Sequence, residues 1–219
     1  MIHPNMATML GYLLTDVELT MDVAQDFVRK AADISFNMIS VDGDSSTNDC
    51  VFLLANGASG VKLKDDEDYR IFQEALFALS KLLAQSIARD GEGASKLIEV
   101  QVNGCHDLVL ARKAARGVTV SPLVKAAIHG EDPNWGRILA RLGAEGVPAS
   151  SLDLMKLTIQ DHVLFKNGAP VEFDKTTVRS SLRADTIHII IDLNSGREAA
   201  TAWGCDLSKR YVEINTDYN

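Results

Sequence analysis

"HPNMATMLGYLLTD", residues 3–16, is the stretch on which the fold turns. Met9 to Leu14 is a short apolar run, and it reads as a buried strand. Directly before it lies the Ala7–Thr8 peptide bond. A threonine hydroxyl is a weak nucleophile until a base takes its proton. If the bond is cut, Thr8 gains a free α-amine of pKa about 7.7–8.0, partly neutral at physiological pH. That amine sits on the same residue as the hydroxyl, so no separate histidine is needed. The hydroxyl can also make the cut itself, by attacking the Ala7 carbonyl, which the small alanine side chain leaves accessible. Ala-Thr pairs are common, however, and the rest of the chain has to decide.

Outward from this strand, "TMDVAQDFVRKAADISFNMI" has apolar residues at Val23, Phe27, Val28, Ala31 and Ile34, the spacing of a helix that Thr20 can cap. "CVFLLANG" predicts a second short strand, stopped at Asn56-Gly57. "DDEDYRIFQEALFALSKLLAQSIARDG" is acidic at its start, apolar on one stripe and stopped by Gly91, the strongest helix signal in the chain. "KLIEVQVNG" reads as a strand. "DLVLARKAARG" and "SPLVKAAIHG" read as two helices, each closed by a left-handed glycine, and "NWGRILARLG" as a third. From residue 152 the pattern turns to strands: "LDLMKLTIQ", a hairpin in "HVLFKNGAPV" with an Asn-Gly turn, "TIHIIIDLN", "GREAATAWG" and "RYVEIN", interrupted by a helix at Thr176 to Leu182. The sum is α+β, or a layered α/β sandwich. Its expected division is 1–100, 101–150 (helical) and 151–219 (strand-rich).

Hydrophobic residues make up 46% and charged residues 24% of the 219, enough apolar material for a sizeable core. The net charge of -8 argues against a protein that tracks nucleic-acid phosphates. No apolar run reaches the length of a membrane helix, and no secretory leader is visible. The three cysteines, Cys50, Cys105 and Cys205, are widely spaced among apolar or glycine neighbours, as reduced, buried thiols are, and they form no zinc pattern.

Several stretches invite chemistry. "VDGDSSTND" imitates a calcium loop at Asp42, Asp44 and Ser46, but Thr47 and Leu53 stand where such a loop needs Gly and Glu. It is either a loop held by Asx and hydroxyl turns or a polar loop beside an active site. "GEDPNWGRI" has turn chemistry that Trp135 and Arg137 can pin. "RDGEGASK" sets Glu92 between glycines, where a carboxylate can approach a ligand closely, although a solvated turn explains it as simply. The spacing of a phosphate loop is absent. His188, in an apolar strand, reads as a core residue. There is no GxSxG elbow.

Five stretches in order, "MIHPNMATML", "SFNMISVDGDSSTND", "DGEGASK", "DPNWGRI" and "WGCDLSKRYVEIN", resemble the arginine-biosynthesis enzyme ornithine acetyltransferase, also called glutamate N-acetyltransferase. The resemblance runs from the first residues to the last. It implies an αββα sandwich of the N-terminal-nucleophile type with a smaller α/β second domain. It implies a self-cleaving precursor that yields an α and a β chain, paired as a heterotetramer of two of each. Thr8 would be the catalytic nucleophile, Ala7 and Thr8 the cleavage site, and Thr8, Glu92 and Asn215 the substrate-binding residues. Acetyl would pass from N-acetylornithine to Thr8 and then to glutamate, with no metal and no required cofactor; some members also use acetyl-CoA. The family's oxyanion-hole Thr-Gly pair and a substrate lysine belong to the α part, upstream of Met1, so the chain alone is expected to be inert. A cytoplasmic location, or the mitochondrial matrix in a eukaryote, is implied. The rival expectations are an aminopeptidase or other hydrolase of the same nucleophile logic, and an orphan half-enzyme that only pairs with a partner chain.

Overall fold

A computed structural model of the chain describes residues 1–3 and 9–217 and divides it into two compact units, Met1–Ser86 and Ile87–Asn219. The division falls earlier than residue 100, and the stretches 101–150 and 151–219 belong to one unit.

In the first unit, β1 (Leu10–Thr15) is followed by α1 (Met21–Ile34), the two-residue β2 (Ile39–Ser40), β3 (Cys50–Ala55) and α2 (Asp66–Arg89), whose last turn runs past the boundary. β1 and β3 pair in parallel, from Leu10 opposite Cys50 to Thr15 opposite Ala55. Parallel neighbours need a crossover, and α1 lies in that connection. Period-2 alternation gives the strands two faces. One face sends Leu13 into a core with Phe27 and Ala31 of α1 and Leu76 of α2, with Val51, Leu53 and Phe72 packed against it. The Phe27 and Phe72 rings tilt against each other at 5.2 Å.

The strand is therefore not buried on both sides, as its apolar run predicts. Leu10, Tyr12, Leu14, Phe52 and Leu54 on the other face are exposed, Leu14 to 76%, and the Tyr12 and Phe52 rings stack at 5.4 Å. Cys50 is on this exposed face too, which corrects the expectation that all three thiols are buried; Cys105 and Cys205 are.

The second unit is built on β4 (Leu97–Cys105), α3 (Leu108–Val120), α4 (Pro122–His129), α5 (Trp135–Ala144), β5 (Lys156–Ile159), β6 (His162–Lys166), β7 (Ala169–Pro170), α6 (Lys175–Ser181), β8 (Thr186–Asp192), β9 (Glu198–Cys205) and α7 (Lys209–Thr216). Its strands lie side by side as β9-β4-β8-β5-β6-β7. β4 and β8 are parallel and the remaining pairs antiparallel, so the sheet is mixed. Ile98, Val100 and Val102 of β4 are wholly buried, as are Ala111, Ala114 and Ala115 of α3. Small residues along α3 let the helix come close to the sheet. The Asn-Gly hairpin forms as predicted: Asn167 and Gly168 both have positive φ, 50° and 79°, the combination a tight turn with right-handed strand twist requires.

Four local expectations are corrected. "RYVEIN" is helical, not extended. Ser208 accepts a hydrogen bond from the Tyr211 N–H at 3.2 Å, and Tyr211 and Ile214, three apart, are the half-buried pair. α3 does not end at Gly117 but runs through it to Val120. Gly130 closes α4 with φ -79°, so it is not a left-handed cap. "LDLMKLTIQ" opens in a 3-10 turn, Ala149–Asp153, and becomes a strand only at Lys156.

Candidate functional site

Thr8 and Ala7 lie outside the described residues, which resume at Met9. Met9 is held firmly. Its N–H donates to Asp49 Oδ1 at 2.5 Å, and its carbonyl accepts from the Cys50 N–H at 2.9 Å. Asp49 ends the "SVDGDSSTND" loop, and the same loop takes residues 1–3. The Val41 N–H donates to the Ile2 carbonyl at 2.7 Å, the Ile2 N–H to Asp42 Oδ1 at 3.0 Å, and Ser45 Oγ to the His3 carbonyl at 3.2 Å. The loop thus holds the chain on both sides of residues 4–8. It is also braced by the turns anticipated for it, with Asp44 N–H on Asp42 Oδ1 and Asn48 N–H on Ser46 Oγ.

Beside Met9 and Asp49 opens a cavity of about 300 Å³ that Arg29, Asn37 and Cys50 also line. Asp49 Oδ2 is buried with no hydrogen-bond partner. Burial raises the Asp49 pKa despite the Met9 N–H.

The second unit carries the other two predicted residues. Glu92 is half-buried in its glycine-flanked turn. Gly93 has φ 66°, and a Cβ there would sit 2.6 Å from the Tyr211 nitrogen, so the turn lies directly on the start of α7. Ser208 Oγ donates to the Gly93 carbonyl at 2.6 Å. Asn215 is exposed in the last turn of α7, its Nδ2 donating to the Tyr211 carbonyl at 2.9 Å. The structure therefore brings the Glu92 turn and the Asn215 helix together, although they are far apart in sequence.

What fixes the turn is a residue that sequence reasoning missed. Asp206, 2% exposed, accepts the Ser95 and Lys96 N–H groups on Oδ1 at 2.8 and 2.9 Å. Its Oδ2 accepts Ser95 Oγ at 2.6 Å and faces His129 Nδ1 at 2.7 Å. Burial alone would raise its pKa; the hydrogen bonds from Ser95 and His129 win and hold it below the usual carboxylate value. Its signal was its place in "WGCDLSK", beside the turn chemistry rather than in it. Asp49 was missed in the same way, as the last residue of a loop read as a unit.

Trp135 and Arg137 have structural work. Trp135 packs on Phe165 at 5.6 Å, Arg137 Nη1 donates to the Leu123 carbonyl at 2.7 Å, and Asn134 caps α5. His188 is not a core residue: its side chain is exposed and meets Glu99 Oε1 at 3.0 Å, and Glu99 also accepts from Trp203 Nε1 at 2.7 Å. Among the described residues no cluster of His, Cys, Asp or Glu is arranged to hold a metal ion, and no helix is long and apolar enough to cross a membrane.

Comparison with known proteins gives a consistent picture. The arginine biosynthesis bifunctional protein ArgJ of Dehalococcoides mccartyi is 49% identical over 220 residues, covering 100% of this chain and 54% of that protein. The glutamate N-acetyltransferase of Methanopyrus kandleri is 47% identical over 220 residues, covering 100% of this chain and 57% of its own length. The crystal structure of ArgJ from Bacillus halodurans superposes with a TM-score of 0.92 at 38% identity, over 96% of this chain and 100% of that one. This chain thus spans about half the length of the curated relatives it matches. The family model described as ArgJ family matches residues 1–219, and the chain belongs to the ArgJ family.

Proposed function

We propose that this chain is the nucleophile-bearing β half of an acetyltransferase of arginine biosynthesis, moving acetyl from N-acetylornithine to glutamate. The observation that carries the reading is the family match over the whole chain, with the Ala7–Thr8 pair at the head of β1. Relatives about twice as long, beside a solved relative whose whole chain matches this one, fit a precursor that is cut in two. In the two-chain enzyme the first unit would form one side of an αββα sandwich of the N-terminal-nucleophile type. The apolar outer face of β1 and β3 supports that reading, because it is the kind of surface a second layer covers.

Chemically, the Thr8 hydroxyl attacks the Ala7 carbonyl, the Ala7–Thr8 C–N bond breaks to free the Thr8 amine and leave an ester on Oγ, and water then hydrolyses that ester, releasing the Ala7 carboxylate and restoring the hydroxyl. In the transfer reaction that amine takes the hydroxyl proton as Oγ attacks the acetyl carbonyl of N-acetylornithine. The ornithine amine leaves with the proton, and acetyl-threonine remains. The glutamate amine then attacks the ester, and the proton returns to Oγ. Glu92 and Asn215 bind the amino-acid skeleton shared by both substrates, and the packing of the Glu92 turn on the start of α7, the helix that carries Asn215, supports this. The oxyanion donors come from the α part, and losing one such donor typically costs about 10²–10³ in rate. No metal or coenzyme is required, two α and two β chains assemble, and acetyl-CoA, which some members of the family use, is a candidate second acetyl donor. The enzyme works in the cytoplasm, or in the mitochondrial matrix of a eukaryote.

The test is intact-mass analysis and an acetyl-transfer assay on the chain joined to its N-terminal part. Thr8→Ala should stay uncut and inactive, and Thr8→Ser should be cut slowly. Normal cleavage of Thr8→Ala would end this reading.

A further inference from the structure

We propose that Ser208 is a positioning residue: its hydroxyl joins the Glu92 turn to α7, so that Glu92 and Asn215 meet a substrate as one fixed pair. This deepens the function proposed above and rests on its assignment of those two residues. A serine hydroxyl has one hydrogen to donate and can accept besides. Ser208 uses both capacities. Its Oγ donates to the Gly93 carbonyl at 2.6 Å and accepts the Tyr211 N–H at 3.2 Å, the contact that caps α7. The Tyr211 carbonyl in turn accepts from Asn215 Nδ2 at 2.9 Å. Three hydrogen bonds therefore run from the residue after Glu92 to Asn215 itself, and the first two meet on Ser208 Oγ.

The backbone under Ser208 is pinned. Two residues earlier, the Asp206 N–H donates to the Lys96 carbonyl at 3.2 Å, and the Leu207 N–H donates to the Lys125 carbonyl at 3.4 Å. Ser208 is 7% exposed, so water competes little for its hydroxyl. Turn and helix touch with no side chain between them: a Cβ at Gly93 would lie 2.6 Å from the Tyr211 nitrogen and 2.8 Å from the Arg210 carbonyl carbon. The two clamps on the turn have different ends. Asp206 ties Ser95 and Lys96 to the end of β9, whereas Ser208 ties Gly93 to α7. Without the hydroxyl the turn still closes through the Ala94 N–H on the Gly91 carbonyl, but its hydrogen bond to the helix cap is gone. A small misplacement of a binding pair is enough to weaken its grip on a substrate.

Three variants separate this link from the cap. The chain joined to its N-terminal part is assayed with N-acetylornithine and glutamate, and backbone amide exchange is followed by mass spectrometry. Ser208→Ala removes both bonds of the hydroxyl. Ser208→Gly removes them too but starts a helix nearly as well as serine does, so it decides the matter if Ser208→Ala does not fold. Ser208→Thr keeps the hydroxyl. Both hydroxyl-free variants should raise KM for the two substrates alike, by about 5–10-fold, with kcat within about twofold of the parent. Ser208→Thr should bring KM back to within about twofold. Amides of residues 91–96 and 209–216 should exchange faster together in the hydroxyl-free variants, by about 3–10-fold. Parental KM in Ser208→Gly overturns the proposal, and so does a rise in KM that Ser208→Thr does not reverse. Faster exchange confined to 209–216 overturns it as well, and leaves Ser208 a helix cap only. Exchange needs no acetyl transfer, which keeps the questions apart. A parent enzyme that moves no acetyl refutes the function proposed above, whereas an active parent with KM and exchange indifferent to the hydroxyl refutes only the role of Ser208.

Discussion

Removing the Asp206 carboxylate should loosen the Glu92 turn, and the size of the effect follows from its four partners. Asp206→Ala strips the acceptor from the Ser95 and Lys96 amides, Ser95 Oγ and His129 Nδ1. Ser95 is exposed and the His129 side chain is 39% exposed, so water replaces much of what those side chains lose. The two backbone amides set the cost. At about 1–3 kcal/mol for each donor left unsatisfied, the alanine variant should lose about 2–6 kcal/mol. Asp206→Asn keeps one oxygen for both amides, and its NH2 meets two atoms able to accept. Only charge assistance is lost, about 1–3 kcal/mol.

The pH dependence fixes the sign. The folded carboxyl lies below its ordinary value of 3.8. Its stabilisation is therefore complete above that value and disappears as pH falls through the lower folded value. Urea unfolding at pH 7 and again near pH 3 should show the gap between parent and Asp206→Asn shrinking in acid. An alanine variant within about 0.5 kcal/mol of the parent at pH 7 would refute the view that this carboxylate organises the turn.

Gly117→Ala should destabilise, against the usual benefit of alanine inside a helix. Its Cβ would sit 2.6 Å from Glu145 Cδ, and Glu145 is 8% exposed and paired with Arg141. The expected loss is about 1–3 kcal/mol by urea unfolding, and in a Glu145→Ala background the same change should become neutral or stabilising. Leu13→Ala, in the core between the strands and α1, should cost about 2–5 kcal/mol; a loss below about 1 kcal/mol would mean that the core is misassigned. Glu92→Gln in the joined enzyme should raise KM for N-acetylornithine with little change in kcat, and unchanged kinetics would return Glu92 to a solvated turn.

Much of this molecule was legible from local pattern. α2 declared itself through its acidic start and apolar stripe, and the β6–β7 hairpin through Asn167-Gly168. The misses share a physical cause: they depend on partners distant in sequence. Gly117 is not a stop because Glu145, 28 positions on, fills the space where a side chain would be. "RYVEIN" alternates well enough for a strand, but Ser208 caps it as a helix and the Gly93 turn packs against its start. The site was half legible. Glu92 and Asn215 came from motif resemblance, whereas Asp49 and Asp206 emerged only once the fold showed which backbone amides they hold.

The parallel pairing of β1 and β3 also sets a schedule for synthesis. Each pair joins positions 40 residues apart, from Leu10 with Cys50 to Thr15 with Ala55. A ribosome adds about 5–20 residues per second, so β1 emerges about 2–8 s before its neighbour does. During that interval Leu10, Tyr12 and Leu14 have no β3 to lie beside, and the residues that later form the core face are bare as well. α1, made next, is available as cover. Slowing translation after β1 has left the ribosome but before β3 has should therefore lower the soluble yield and raise chaperone association, whereas the same pause placed once β3 has emerged should be harmless.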